Sequence, residues 1–152
     1  MGPYPQCEDD IYKLKYEHID GVLNFMDQDE MAAKGLDTSS IKHIYQKNKI
    51  QFTKSINLGD ETTEDGERID NLFIAAQYLN DMANTKGLRV FLHSCAGVTR
   101  NTTVLLAYIT LYKTHELWHD LDQLQASLRD SFKLARPNMQ LLKKLVKLKK
   151  LF

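Results

Sequence analysis

The sequence has little of what several specialised classes of protein require. Its 152 residues include two cysteines, Cys7 and Cys95, which are too few for a disulfide framework and therefore predict a reducing compartment, the cytoplasm. No apolar run approaches the roughly 20 residues that a membrane span needs, and the N-terminus lacks the apolar core of a signal peptide. Lys and Arg number 20, as do Asp and Glu, so the zero net charge gives no general electrostatic reason to bind nucleic acid or an anionic membrane.

The pattern also lacks metal-binding clusters and internal repeats. No group of Cys and His residues has the spacing of metal ligands, so we expect neither a metal nor a cofactor. A chain of 152 residues that is 43% hydrophobic suits one compact domain over residues 1–152, and we expect it to be a monomer.

Strand-like and helix-like segments alternate along the chain. The strongest strand pattern is Leu88–Leu92, and Gly21–Phe25 and Ile50–Leu58 have weaker ones. Helices are predicted over residues 8–17, from an N-cap residue within Asp37–Ser40 through Tyr45, and over residues 69–83, 102–112, 116–132 and 139 to the end. Three tyrosines on apolar helix faces are predicted to lie in the core, namely Tyr45, Tyr78 and Tyr108. The alternation predicts an α/β fold, with a central mixed sheet of about four to five strands and helices on both faces.

The most informative stretch is the seven-residue loop from Ser94 to Arg100, which joins the strongest strand to a helix. A loop at such a junction can turn successive backbone N–H groups inward, with the positive end of the helix dipole behind them. Gly97 permits the tight curvature, and the planar fork of Arg100 can hold two phosphate oxygens at once. The predicted phosphate-binding residues are Ser94, Cys95, Ala96, Gly97, Val98, Thr99 and Arg100.

This loop resembles the signature of the cysteine-dependent phosphatases of the dual-specificity class, which is His, Cys, five residues and Arg. His93 matches the histidine and Arg100 the arginine, so Ser94 occupies the position of the nucleophile. Cys95 lies one place too late, and we expect it to be a small, largely buried thiol in the loop wall. The resemblance covers nearly the whole chain and implies a protein-tyrosine-phosphatase-like fold.

The resemblance also implies a mechanism. In active members a cysteine thiolate attacks phosphorus, and an aspartic acid on a neighbouring loop protonates the leaving oxygen. Asp60 matches the position of that acid best, with Asp65 the second choice and Glu61 the third. His93, Asn101 and Thr102 are expected to support the loop, and His93 to do so by a hydrogen bond to it. A serine hydroxyl is a far weaker acid than a thiol, so we expect the loop to bind phosphate with little or no turnover.

Two longer stretches are most similar to the glucan phosphatases, the laforin and plant starch-excess branch. They are residues 2–11 and residues 22–41, the latter containing an acidic run at Asp27–Glu30 and a Gly-Leu-Asp element at Gly35–Asp37. Phe132 is the aromatic residue expected in the substrate cleft. Thr99 departs from the glycine that the glucan branch usually has before the loop arginine. The expected substrate is therefore a phosphorylated glucan or a phosphoprotein, with the glucan slightly favoured.

Ser94 itself has two explanations. A Cys-to-Ser substitution is commonly engineered to trap a phosphatase with its ligand, and the rest of the loop is intact, which favours this explanation. The alternative is a natural pseudophosphatase that binds phosphorylated partners without turnover. A structural domain with no phosphate ligand is disfavoured because Gly97 and Arg100 are both present.

Overall fold

The computed structural model describes residues 1–52, 55–113 and 120–150. In chain order its elements are strand β1 (Gly2–Pro3), helix α1 (Glu8–Tyr16), β2 (Gly21–Asn24), α2 (Gln28–Ala33), α3 (Thr38–Lys47), β3 (Gln51–Phe52), α4 (Asp65–Asn80), a π-helical segment (Asp81–Thr85), β4 (Val90–Ser94), α5 (Arg100–Tyr112), α6 (Leu121–Ser131) and α7 (Met139–Lys150).

The chain divides into two compact units. The first unit comprises Met1–Asn57 and Asp81–Gly97, and the second comprises Leu58–Asn80 and Val98–Phe152. The prediction of a single domain over residues 1–152 stays a prediction.

The first unit contains a four-stranded sheet in the order β1-β4-β2-β3. Every described strand pair is parallel, where the sequence pattern predicted a mixed sheet. A parallel sheet is buried more completely than a mixed one, and β2 accordingly has all four of its residues buried. The predicted α/β class and the strand number of about four to five are confirmed.

Helices α1 and α3 cover the core of the first unit. Its buried cluster consists of Ile11, Ile19, Val22, Tyr45 and Ile50. The side chain of Asp37 accepts hydrogen bonds from the amides of Ser39 and Ser40, so Asp37 is the N-cap of α3. The ring of Tyr45 stacks on Phe52 with 5.0 Å between centroids, which joins α3 to β3.

The side chain of Asn24 holds together the segments that leave the carboxyl end of β2. This fully buried residue donates from Nδ2 to Ser55 Oγ at 2.8 Å and accepts at Oδ1 from the amide of Met26 at 2.9 Å. Its carbonyl accepts from the amide of Ile56 at 2.9 Å. A buried amide side chain is stable only when its polar atoms find such partners, so Asn24 fixes the path of the chain on leaving β2.

The second unit is helical. Helices α4, α5 and α7 pack against one another, and their buried residues include Leu72, Ala76, Val104, Ala107 and Leu142.

Several sequence expectations need correction against these elements. The predicted strand over Ile50–Leu58 is a strand only at Gln51–Phe52, with residues 53 and 54 outside the described part. Helix α6 begins at Leu121 rather than at residue 116, and residues 114–119 lie outside the described part. Tyr45 and Tyr108 are buried as predicted, but Tyr78 is 41% exposed and the prediction that it lies in the core is wrong. No helix among the described residues is long and apolar enough to cross a membrane.

Candidate active site

Ser94 lies at the buried end of an inner strand. The β-formers Val90, Phe91 and Leu92 lead into it, and β4 pairs with β1 on one side and β2 on the other. Pro3 is opposite Ser94 in the register with β1, and Ser94 is only 2% exposed. Loops that follow the carboxyl ends of inner parallel strands are the usual place for ligands in α/β folds.

Gly97 brings the loop backbone round towards Ser94. Its φ is +72°, in the left-handed region, and its amide donates to Ser94 Oγ at 3.2 Å. A Cβ at this position would lie 2.4 Å from the carbonyl carbon of Gly2 and 2.7 Å from the nitrogen of Pro3. The glycine is therefore required both for its backbone conformation and because β1 leaves no room for a side chain.

The environment of Ser94 Oγ suits a negative charge better than it activates a hydroxyl. The Gly97 amide points its hydrogen at this atom, and an amide donor stabilises an anion such as a thiolate. Within the part of the chain that the structure describes, neither ring nitrogen of the adjacent His93 has a hydrogen-bond partner, so the imidazole is not bonded to Ser94 Oγ. The serine therefore has an amide donor at its oxygen and no imidazole to remove its proton.

His93 differs from its predicted role. Both ring nitrogens are buried without a hydrogen-bond partner among the described residues, so the predicted bond from His93 to the loop is absent. Burial lowers the pKa of the imidazole to about 3, and the ring is neutral at pH 7. Its nearest ring neighbour is Phe91, at 6.1 Å between centroids.

The second part of the loop is built into the start of α5. Thr99 occupies the N-cap position but its side chain makes no capping bond. Thr102 Oγ1 instead donates to the carbonyl of Val98 at 2.6 Å, and Thr103 Oγ1 donates to the carbonyl of Thr99 at 2.7 Å. The hydroxyl of Thr102 is thus bonded to the backbone of the loop, and its predicted supporting role stays a prediction. Asn101 is fully buried.

The segment that follows α6 reaches this helix start. The amide of Arg136 donates to the carbonyl of Val98 at 3.0 Å, and the amide of Asn138 donates to Thr103 Oγ1 at 2.8 Å. Asn138 also caps α7 by accepting from the amide of Leu141 at 3.0 Å. The segment Arg136–Asn138 thus anchors the first turn of α5 through these two hydrogen bonds. Phe132 is half-buried at the C-cap of α6, and its place in a substrate cleft stays a prediction.

Asp60, the predicted acid, closes a turn of its own loop. Its Oδ1 accepts from Thr62 Oγ1 at 2.6 Å and from the Thr62 amide at 2.8 Å. These hydrogen bonds, that of the Thr62 hydroxyl first, hold the pKa of Asp60 below its ordinary value, so the group is a carboxylate at neutral pH. A general acid must carry a proton, so the turn would have to release Asp60 before this residue could act as one.

The second choice, Asp65, is also held as a carboxylate. It forms an ion pair and hydrogen bond with Lys144 and a weaker contact at 4.0 Å with Arg68, and the hydrogen bond from Lys144 is the main reason that its pKa is lowered. Among the described residues, no ion pair or side-chain hydrogen bond is recorded for the third choice, Glu61.

Cys95 lies beside the acidic run that suggested a glucan phosphatase. Its half-buried sulfur donates to Glu30 Oε1 at 3.6 Å. Glu30 and Asp27 form a reciprocal capping box at the start of α2, where each side chain accepts from the backbone amide of the other. Asp27, Glu30 and Asp37 therefore all cap helices of this fold. Their similarity to the glucan branch is explained in part by this structural role and is weaker evidence for a glucan substrate. Among the described residues no cluster of three or more His, Cys, Asp or Glu side chains could hold a metal ion.

We predict that Gly97→Ala destabilises the fold far more than Gly35→Ala. Both positions have positive φ, +72° and +68°, but a Cβ at Gly35 meets nothing within 4 Å. Gly35→Ala should cost roughly 1 kcal/mol of unfolding free energy from backbone strain alone, and Gly97→Ala roughly 3 kcal/mol or more because the clash is added. Chemical denaturation of the two variants tests this. Equal losses would mean that the contact with β1 carries no weight.

We predict that His93 makes the fold sensitive to acid. Its pKa is about 3 in the folded chain against 6.5 ordinarily, so the unfolded state binds a proton between these values and the folded state does not. The free energy of unfolding should therefore fall as the pH drops below 6.5, by up to about 1.4 kcal/mol per pH unit.

The measurement is denaturant unfolding from pH 8 to pH 4. His93→Leu should remove this part of the slope, and the exposed His43 supplies the control, because His43→Leu should keep it. A slope that His93→Leu leaves intact would show that other groups cause the acid sensitivity.

No family model matches the chain, and no curated protein matches it either. Several solved structures do. Kinase associated phosphatase with its catalytic-site cysteine substituted by serine has a TM-score of 0.73 at 19% identity, covering 97% of this chain and 83% of that one. PTPMT1 in complex with PI(5)P has a TM-score of 0.72 at 20% identity, covering 99% and 88%.

A third similar structure is a human tyrosine phosphatase-like serine/threonine/tyrosine-interacting protein, with a TM-score of 0.66 at 14% identity over 98% of this chain and 89% of that one. The first is named a phosphatase and the third phosphatase-like. Likeness at such identities is evidence of a common architecture. The chain therefore has the protein-tyrosine-phosphatase-like fold that its signature loop predicted.

Proposed function

We propose that residues 94–100 form a phosphate-binding loop and that the chain is a phosphomonoester hydrolase domain of the dual-specificity type, with serine at the position of the nucleophilic cysteine. The observation that carries the proposal is the left-handed Gly97, whose amide donates to Ser94 Oγ while β1 excludes any side chain. A backbone donor aimed at the reacting atom is what a thiolate nucleophile and its phosphorylated form need.

The start of α5 supports phosphate binding from the other end of the loop. The side chain of Thr99 makes no capping bond, and the threonine hydroxyls of the first turn donate to carbonyls. The N-terminus of a helix presents backbone N–H groups and the positive end of the helix dipole, and both favour an anion there. Arg100 opens the helix and would supply the bidentate guanidinium contact.

With cysteine at position 94, the reaction would proceed in two steps. The thiolate sulfur attacks phosphorus and forms an S–P bond while the ester P–O bond breaks, and the leaving oxygen takes a proton from the acid. Water then attacks the phosphocysteine and gives a proton to the carboxylate that acted as the acid, while the S–P bond breaks, which restores the thiolate and the acid and releases inorganic phosphate. With Ser94 the first step stops, because the hydroxyl keeps its proton and the neutral His93 does not bond to it.

The serine allows a second candidate function, which is binding of phosphorylated partners without turnover. It is favoured because the hydrogen bonds described above for the loop, from Gly97, Thr102, Thr103 and Arg136, are all present with serine at position 94. Both situations occur among similar folds, since kinase associated phosphatase was crystallised with such a substitution and another neighbour is named as phosphatase-like and interacting. An engineered Cys-to-Ser substitution remains our first explanation, because the rest of the loop is intact.

The substrate class is the finer part of the proposal. Phosphorylated glucan rests on the similarity of residues 2–11 and 22–41 to the glucan branch, and part of that similarity is accounted for by helix caps. Phosphoprotein is the alternative, and the names of the similar structures refer to a kinase associated phosphatase, to a complex with PI(5)P and to a tyrosine phosphatase-like protein. Both classes present a phosphomonoester, which is what the loop would recognise.

We predict that Ser94→Cys creates or restores hydrolysis of an aryl phosphate, on the order of 10³-fold or more above the Ser94 chain, because a thiolate replaces a hydroxyl as nucleophile. Release of inorganic phosphate is the measurement. Ser39→Cys, at an exposed position in α3, is the matched control for an added thiol and should stay inactive.

Two further outcomes separate the candidate functions. One outcome is that Ser94→Cys is inactive, the Ser94 chain binds vanadate, and the Arg100→Ala variant does not bind it. The loop would then serve binding alone. If no form binds vanadate, the phosphate-binding proposal is wrong. With an active Ser94→Cys variant, phosphorylated amylopectin and a phosphopeptide can be compared directly as substrates, and Phe132→Ala should impair only the glucan if Phe132 contacts sugar.

We predict that Asp60→Asn, introduced with Ser94→Cys, slows hydrolysis of a phenyl phosphate by about 10²–10⁴-fold and hardly affects a dinitrophenyl phosphate. The first leaving group needs a proton and the second does not. Glu61→Gln is the control and should change neither rate. Equal rates for Asp60→Asn and its parent on phenyl phosphate would remove Asp60 from the role of acid and direct the search to Asp65.

A further inference from the structure

The side chain of Glu30 joins helix α2 to the loop that follows β4. Its Oε1 accepts a hydrogen bond from Cys95 Sγ at 3.6 Å, and its Oε2 accepts one from the amide of Asp27 at 3.0 Å. The amide of Glu30 donates in turn to Asp27 Oδ1 at 2.7 Å. Both oxygens of this carboxyl group are therefore in use. One holds the side chain on the first turn of α2, and the other reaches the loop.

Helix α2 is itself fastened to the strand ends beside this loop. Met31, the residue after Glu30, is 2% exposed, and its sulfur lies 3.3 Å from Asn24 Nδ2 at the end of β2. The amide of Phe25 donates to the carbonyl of His93 at 2.9 Å, which bonds the exit of β2 to the end of β4. The carboxyl group that meets the loop is thus presented from a support built on two neighbouring strands.

The side chains at positions 94 and 95 lie in opposite chemical environments. Ser94 Oγ accepts from the amide of Gly97 at 3.2 Å, and an amide donor favours negative charge on the atom that accepts from it. Cys95 Sγ instead donates to a carboxyl group. Such a bond favours the protonated thiol, because ionisation loses the bond and brings two negative charges together. Since the thiolate is the reactive form of cysteine, the loop favours a nucleophile at position 94 and disfavours one at position 95.

We propose that Glu30 is a positioning residue of the loop, which holds Cys95 as a protonated thiol against α2 and so prevents it from acting in place of residue 94. The serine at position 94 is then not rescued by the thiol beside it. This assignment goes beyond the proposed phosphatase function and does not rest on it, since the contact between Glu30 and Cys95 requires no phosphate.

Charged groups on the neighbouring elements decide which comparison isolates Glu30. Asp27 and Asp29 lie on α2 with Glu30 and have the same sign, and His93 in β4 is neutral at pH 7. Arg100, where α5 begins, is the one cation in the loop sequence. All of these groups stay in place when Glu30 alone is changed, so a difference between that variant and its parent is due to Glu30.

The test is alkylation of the full chain by iodoacetamide from pH 6 to pH 10, with Cys95 and Cys7 followed separately by peptide mass spectrometry. Cys95 is half-buried, so a small reagent can reach it. Glu30→Gln should raise the rate at Cys95 about tenfold at pH 7.5 and lower the pH of half-maximal reaction by about one unit. Glutamine keeps the capping box, because its side-chain oxygen can still accept from the Asp27 amide. The exposed Cys7 should keep its rate.

Asp29→Asn is the matched control, since it removes the same charge from the same turn of α2 at an exposed residue and should leave the rate at Cys95 unchanged. The proposal is overturned if Glu30→Gln leaves the pH profile of Cys95 unchanged, or if Asp29→Asn shifts that profile equally. If a thermal melt shows that Glu30→Gln is not folded, the unchanged chain decides. Its Cys95 should reach half-maximal reaction above about pH 8.5, the ordinary value for a thiol, and a lower value overturns the proposal.

Discussion

The contact between the backbone of Gly97 and the backbone of β1 is the constraint on which the geometry of the candidate site depends. Gly2 and Pro3 pair with His93 and Ser94, and Gly97 packs back onto the same two residues. The approach is tight on both sides, because a Cβ at Gly2 would also lie 3.3 Å from the Phe91 ring. Two residues near the N-terminus therefore fix both the end of β4 and the turn that aims the Gly97 amide at position 94.

Much of this framework was predictable from the sequence, because it depends on local patterns. The β-formers of β4, the loop glycine and the helix that follows gave the strand-loop-helix unit with boundaries within two residues at the helix start. An N-cap within Asp37–Ser40 and the burial of Tyr45 likewise follow from residue type and spacing. A residue that closes its own turn or caps its own helix can be inferred without knowing the rest of the chain.

The parts that sequence reasoning missed are those that tertiary contacts decide. Strand β1 has two residues, too few for any alternation of apolar and polar side chains, and it exists because β4 offers it a free edge. Asp27 and Glu30 are three residues apart, which is the spacing of a capping box, and this spacing indicates the start of helix α2 rather than a class of substrate. The isolation of the His93 ring and the exposure of Tyr78 depend on neighbours that no local pattern encodes. The hydrogen bonds that hold Asp60 as a carboxylate come from Thr62, two residues along the chain, so this contact is one that a local pattern does encode.

The supports of the loop explain why serine can stand at position 94 with the rest of the loop intact. Val98 and Thr99 are held through their carbonyls, by Thr102, Thr103 and the amide of Arg136, and Gly97 is held by its backbone contact with β1. A further bond, from the Gly97 amide, is made to the side chain of residue 94, and a sulfur or an oxygen can accept it. The loop conformation is thus nearly independent of the nucleophile, whereas the chemistry depends on it entirely. If the proposed function holds, binding of a phosphate and its hydrolysis are separable in this chain, and a change of one atom at position 94 divides them.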